Sequence, residues 1–234
     1  MALTKVDKSL LETTSGTADA STFLRGDGTW ASADAGFVEM KVYTASSSTW
    51  TKTDNNPTKL VVEVQGAGGG GARGNTAATT MGAGGGGYAR KFLDVTNIDT
   101  ATVTVGAAGA ASTGEPTGAG SAGGLSSFVK LAGSGSFTDI IGNGGAAGNN
   151  NGYGIGVAGG TATGGDINIQ GGRGQAGGDQ TPAGGSFLGV TAKANESYGN
   201  PNSDALGYGA GGGGGYNQHS GDGAPGIVIV WEYK

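Results

Sequence analysis

Leu60-Val61-Val62-Glu63-Val64-Gln65-Gly66-Ala67-Gly68-Gly69-Gly70-Gly71 passes without interruption from a β-branched stretch into a burst of glycine. The first half has the alternation of a half-buried strand. The second half has almost no side chain to bury. Further bursts at residues 84–87 and 211–215 bring glycine to 54 of 234 residues, without the every-third spacing of collagen. Ordering a glycine costs roughly 1–2 kcal/mol of backbone entropy with no apolar burial in return. Such segments either stay disordered or pack backbone against backbone as extended helices of three residues per turn. In the second case bare Cα atoms admit N–H···O=C bonds and Cα–H···O contacts between segments. The fold class expected is all-β, with antiparallel β-strands plus a glycine-rich domain of packed polyglycine-II helices.

Three zones follow along the chain. Residues 1–36 have ordinary charge density and a hint of helix from Val6 to Leu11, and they suggest an attachment segment and linker. Residues 37–105 form a β-strand region, with strands expected from Phe37 to Tyr43, Leu60 to Val64, Tyr88 to Val95 and Ala101 to Val105. Turns are expected at Asn55-Asn56-Pro57 and from Asn97 to Thr100. Residues 106–234 form a glycine-rich region, interrupted by Leu125 to Leu131, Phe137 to Ile141 and an insert from Ser186 to Leu206, and closed by a strand from Ile227 to Tyr233. Several ten-residue segments at about 3.1 Å per residue would build a slab roughly 30 Å long, with turns gathered at its two ends. Trp50, Phe92, Phe128, Ile227, Ile229 and Trp231 are expected in the core or packed on strands.

Composition narrows the function classes. Hydrophobic content of 35% and charged content of 13% fit neither an ordinary globular core nor a charged disordered tail. The net charge is −5, and the 13 lysines and arginines are scattered apart from Arg90-Lys91. Nucleic acid, which needs a concentrated basic stripe, is therefore not an expected partner. Cysteine is absent, which removes disulfides and thiolate metal sites, and nothing calls for a metal or cofactor. No apolar signal core opens the chain and no run approaches the roughly 20 apolar residues of a membrane-spanning helix.

Several motifs have a bland reading beside a sharp one. Gly66-Ala67-Gly68-Gly69-Gly70-Gly71 fits a dinucleotide-binding turn after a strand, but glycine continues where the helix should start. Arg25-Gly26-Asp27 spells an adhesion tripeptide inside a linker. Gly164-Gly165-Asp166-Ile167-Asn168-Ile169 resembles a calcium-binding β-roll repeat with no second copy to stack on. Catalysis lacks parts: His219 is the single histidine, and there is no Gly-x-Ser-x-Gly elbow. Asp166, Asp179, Glu196, Asp204 and Asp222 lie singly among glycines, whereas glycan cleavage needs two acids roughly 5–10 Å apart in one groove.

The large side chains of the glycine zone sit at its interruptions. Asn150, Asn151, Tyr153, Tyr198, Asn200, Tyr208, Tyr216 and His219 combine aromatic faces with amides, which suits sugar rings or a protein loop. The bland alternative is that Tyr208 and Tyr216 staple the lattice edge.

A resemblance covers nearly the whole chain. Trp50, Pro57, the run from Val61 to Gly71, Gly84-Gly85-Gly86-Gly87, Val103-Thr104-Val105-Gly106, the burst at 211–215 and Gly223-Ala224-Pro225-Gly226-Ile227-Val228-Ile229-Val230 together resemble the glycine-rich domain of bacteriophage tail fibres and adhesins. The more specific signal is Ser15-Gly16-Thr17-Ala18-Asp19-Ala20-Ser21-Thr22-Phe23-Leu24-Arg25-Gly26-Asp27-Gly28-Thr29-Trp30, which is similar to a linker that precedes receptor-binding tips. The resemblance implies a non-enzymatic adhesin on a virion, made in the host cytoplasm. Its loops would bind a host surface receptor, either polysaccharide or outer-membrane protein, while residues 1–36 join other tail or fibre proteins. A homotrimer is compatible with it. Alternatives are a structural virion protein without its own receptor, a glycan-cleaving fibre tip, and an ice- or surface-binding slab, against which the lack of a regular Thr-x-Thr face weighs.

Overall fold

The structure is a computed structural model that describes residues 22–24, 30–32, 36–52, 56–75, 80–113, 117–150, 156–177, 180–191, 204–216 and 220–234. The expected helical turn from Val6 to Leu11 lies outside the described residues. Among them there is no helix. A short hairpin joins β1 (Thr22–Leu24) to β2 (Trp30–Ser32). Then come β3 (Phe37–Tyr43), β4 (Ser47–Thr51), β5 (Lys59–Gln65), β6 (Arg73–Gly74), β7 (Tyr88–Asp94), β8 (Thr100–Thr104), β9 (Ser126–Ala132) and β10 (Ile140–Gly142). Beyond these lie β11 (Ala162–Thr163), β12 (Ile167–Ile169), β13 (Gln180–Thr181), β14 (Gly189–Val190), β15 (Leu206–Gly207), β16 (Gly214–Tyr216) and β17 (Ile227–Tyr233).

Two antiparallel five-stranded sheets carry the apolar core. One has the order β12-β7-β5-β17-β3, the other β11-β10-β9-β8-β4. Alternation along β5 turns Leu60, Val62 and Val64 inward, and alternation along β8 does the same for Ala101 and Val103. They meet Trp50, Phe128, Ile140, Val228 and Val230 in one cluster. Phe128 lies 6.0 Å from Trp50 and 5.7 Å from Phe137, centroid to centroid. Phe92 departs from the expected core set. It is 58% exposed, because the alternation that buries Leu93 turns it to the outer face opposite Val61. Glu232 is buried on the inner face, where its Oε1 accepts 2.7 Å bonds from the Trp50 indole and the Lys41 ammonium. The strand β4 carries no apolar run and was not expected. Trp50 holds it to the core.

Beyond the sandwich the strands do not end but change partners. Residues 66–72 prolong β5, and their N–H groups point in three directions in strict rotation. Gly66, Gly69 and Ala72 donate to Gly87, Gly84 and Met81; Ala67, Gly70 and Arg73 to Gly124, Ser121 and Gly118; Gly68 and Gly71 to Ala224 and Gly221. A bonding period of three is that of a polyglycine-II helix, which has three residues per turn and no internal bonds. The carbonyls of the same segment serve three other neighbours, accepting from Gly109 and Ser112, from Gly145 and Gly148, and from Gly212 and Gly215. Six segments therefore surround residues 66–72. Six likewise surround residues 81–87: 66–72, 143–146, 157–160, 172–175, 182–184 and 209–212.

Glycine is required because backbones touch. A Cβ on Gly68 would lie within 3.0 Å of the Ala210 carbonyl, and one on Gly84 within 3.0 Å of the Ala158 carbonyl. Residues 66–72, 106–112, 143–148 and 171–175 lead away from the sandwich, continuing β5, β8, β10 and β12. Residues 81–87, 118–124, 157–161 and 221–226 return into β7, β9, β11 and β17. The lattice thus includes residues 66–72 and 81–87 from the strand zone of the chain. At the junction the buried Gln65 amide donates to the Gly66, Gly86 and Gly87 carbonyls.

Candidate functional site

The lattice has two unlike ends. At the sandwich end its segments become strands. At the far end, about 20 Å away for seven residues at about 3.1 Å each, the described course of five outgoing segments stops at residues 75, 113, 150, 177 and 216, and that of five returning segments begins at residues 80, 117, 156, 180 and 220. Arg73, Asn149, Asn150, Gln180 and Tyr216 stand at these segment ends.

Three of these segment ends are tied by a small sheet in the order β13-β16-β6. Thr181 pairs with Gly214, Tyr216 with Gly74, and Gly215 with both Gln180 and Arg73. Arg73 and Gly118 exchange two backbone bonds of 2.9 Å, fastening a fourth segment end. Beneath this end lies a layer of buried hydroxyls: Thr80, Ser112, Thr181 and Ser220. Ser220 Oγ accepts the Ser112 N–H at 2.9 Å, while the hydroxyls of Ser112 and Thr181 have no hydrogen-bond partner among the described residues. The far end is consequently a set of segment ends on a hydroxyl-lined, backbone-bonded base.

The residues singled out from the sequence do not gather in one place. Asn150 and the backbone of Tyr216 are at the far end. Tyr208 is at the sandwich end, where its N–H donates to the Leu188 carbonyl at 3.2 Å and its carbonyl accepts the Ser186 hydroxyl. The insert that begins at Ser186 starts there, with the Phe187 ring 4.2 Å from the Tyr88 ring, centroid to centroid, and tilted 30° to it, and β14 pairs antiparallel with β15. Burial, then the Glu63 carboxylate, raises the Tyr88 phenol above its ordinary range. Asn151, Tyr153, Tyr198, Asn200 and His219 lie outside the described residues. Sequence reasoning missed Arg73 and the hydroxyl layer. A signal was present, since Thr80, Ser112, Thr181 and Ser220 each stand where a glycine run meets a turn.

Asp166, read as one position of a β-roll repeat, instead accepts the Phe92 N–H at 2.9 Å and lies 3.7 Å from Lys91, tying β12 to β7. Glycine-run neighbours on every side of residues 66–71 leave no helix N-terminus for a dinucleotide phosphate.

A family model for a glycine-rich domain matches residues 44–233, spanning sandwich and lattice together. The chain belongs to this glycine-rich domain family. No curated protein matches the chain. In this glycine-rich domain the strands run into the lattice and the glycines permit its backbone contacts.

Proposed function

We propose that the protein is the receptor-binding tip of a bacteriophage tail fibre, a non-enzymatic adhesin that attaches the virion to a host cell-surface receptor, polysaccharide or outer-membrane protein. Residues 1–36 join it to other fibre proteins. The observation that carries this reading is that the ends of five outgoing and five returning segments meet at one face of a backbone-bonded lattice. Turns on a scaffold fixed by backbone bonds can change sequence without disturbing it, and recognition is usually placed on such loops. Aromatic and amide side chains there suit sugar hydroxyls or a protein loop. The far end is favoured over the sandwich end, which keeps Asn150 and Tyr216 of the expected contacts and adds Arg73; Asn151, Tyr153 and His219 stay in the proposed set as neighbours of these in sequence. Tyr208 lies at the sandwich end, and Tyr198 and Asn200 lie outside the described residues.

The test is binding of the purified protein to a panel of bacterial strains, intact and stripped of surface polysaccharide. Alanine at Tyr153, Tyr216 or His219 is expected to weaken cell binding at least tenfold, about 1.4 kcal/mol, with the melting temperature unchanged. Alanine at Tyr208 is expected to leave binding intact. Binding that survives every far-end variant would overturn this assignment of the site. Absence of binding to all strains would favour a purely structural virion protein.

A further inference from the structure

Among the described strands, the longest free sheet edge belongs to β3. One side of β3 pairs with β17 from Val228 opposite Tyr43 to Tyr233 opposite Phe37, and no described strand lies against the other. Met40 and Val42 on its outer face are 44% and 48% exposed. Proteins normally blunt such an edge with outward lysine, proline or a bulge. Here the lysine is turned inward, since Lys41 Nζ sits 2.7 Å from buried Glu232 Oε1. The bulge falls at the end of the strand, where the pairing with β17 skips Val38. Among the described residues, nothing protects the middle of the edge.

The strand reads alike in both directions about Met40, with Val38 and Val42 flanking the oppositely charged Glu39 and Lys41. In an antiparallel pair of identical strands related by a two-fold axis normal to the sheet, directly opposed residues share a face, so the axis passes through a residue. An axis through Met40 sets Glu39 against Lys41 twice and Val38 against Val42 twice. Moving it to Glu39 or Lys41 opposes like charges, which is destabilising. The glutamate and lysine are already on one face, 3.7 Å apart within a single copy. On the other face Phe92, Val61, Trp231 and Met40 stand in one row across β7, β5, β17 and β3. An axis at Met40 would carry that row into the second copy.

We infer that two copies of this chain associate through the β3 edges, with Met40 on the two-fold axis, joining the outer sheets into one. β3 runs toward the lattice, so the axis turns the two lattices to opposite poles and the dimer is elongated. The inference does not depend on the receptor reading. Chain self-association rests on charge complementarity and an open edge, and those are present whatever the far end binds.

The test uses the full chain. Sedimentation velocity over a wide concentration range should give a dimer, and small-angle scattering an elongated one. Met40→Lys, which places two ammonium groups on the axis, should abolish the dimer with an unchanged circular dichroism spectrum. Because the chain has no cysteine, Met40→Cys supplies a second readout that does not require loss of association. Directly opposed Cα atoms in an antiparallel pair are about 4.5–5.5 Å apart, within reach of a disulfide. Mild oxidation should crosslink Met40→Cys into a covalent dimer and leave Phe92→Cys, on the same row but away from the axis, monomeric. A wild-type monomer at every concentration, a trimer, a dimer that survives Met40→Lys, or crosslinking of Phe92→Cys as readily as Met40→Cys would each overturn the inference.

Discussion

Gly184 and Gly185 are consecutive in one lattice segment, yet alanine should be destructive at the first and harmless at the second. A Cβ on Gly184 would lie within 3.0 Å of the Gly172 carbonyl and of the Gly85 nitrogen, both main-chain atoms of neighbouring segments. One on Gly185 would meet nothing nearer than the Gly189 carbonyl oxygen at 4.0 Å. Relieving the clash moves this segment away from its neighbours. That strains the bonds from Gly184 to Ala83 at 2.8 Å, from Gly211 to Gly184 at 3.0 Å and from Gly172 to Gly185 at 2.8 Å. Three bonds at about 1 kcal/mol net each, with about 1–3 kcal/mol for overpacking, give a cost of about 4–6 kcal/mol for Gly184→Ala. Gly185→Ala restricts only the unfolded chain and should stabilise by about 0.4–1 kcal/mol. For a chain of this size about 2–4 °C accompanies each kcal/mol, so the two melting temperatures should differ by about 10–30 °C. Thermal and urea unfolding of both variants measure this. Variants that melt within about 2 °C of each other, under 1 kcal/mol, would refute the close-packed lattice.

Other consequences are testable in the sandwich. Lys41→Met takes the ammonium away from the buried Glu232 carboxylate, at an expected cost of about 3–5 kcal/mol; adding Glu232→Gln should recover most of it, and no recovery in urea melts would disprove a charge-pair origin. Burial, then Glu232 and Glu39, pushes the Tyr43 phenol up to about 12. The unfolded chain therefore loses this proton first. Stability should be full below about pH 10 and fall between about 10 and 12. The loss should be smaller in Tyr43→Phe, and equal alkaline profiles for the two proteins would count against it.

Sequence made the strands legible because alternation survives in β5, β8 and β17, where one face meets the core. β4 was illegible for the opposite reason, as serine and threonine surround its one anchoring residue, Trp50. The glycine bursts announced backbone packing but not which segment lies beside which. Neighbours in the lattice are chosen by main-chain bonds, and those are identical for every glycine. For the same reason the candidate contacts looked like one group. Only the direction of each segment separates Asn150 at the far end from Tyr208 at the sandwich.

The peptide-on-peptide packing of residues 66–72 and 81–87 has a thermal consequence. Exposing hydrocarbon raises the heat capacity of unfolding by about 0.45 cal/K/mol per Å2, whereas exposing polar groups lowers it by about 0.26. Unfolding this lattice releases much peptide and little hydrocarbon, so its heat-capacity increment per residue is smaller than that of an ordinary core. A small increment flattens the dome of stability against temperature. Cooling that weakens hydrophobic burial in the sandwich leaves the lattice bonds in place, so the segment ends at the far face keep their spacing in the cold as well as in the warm.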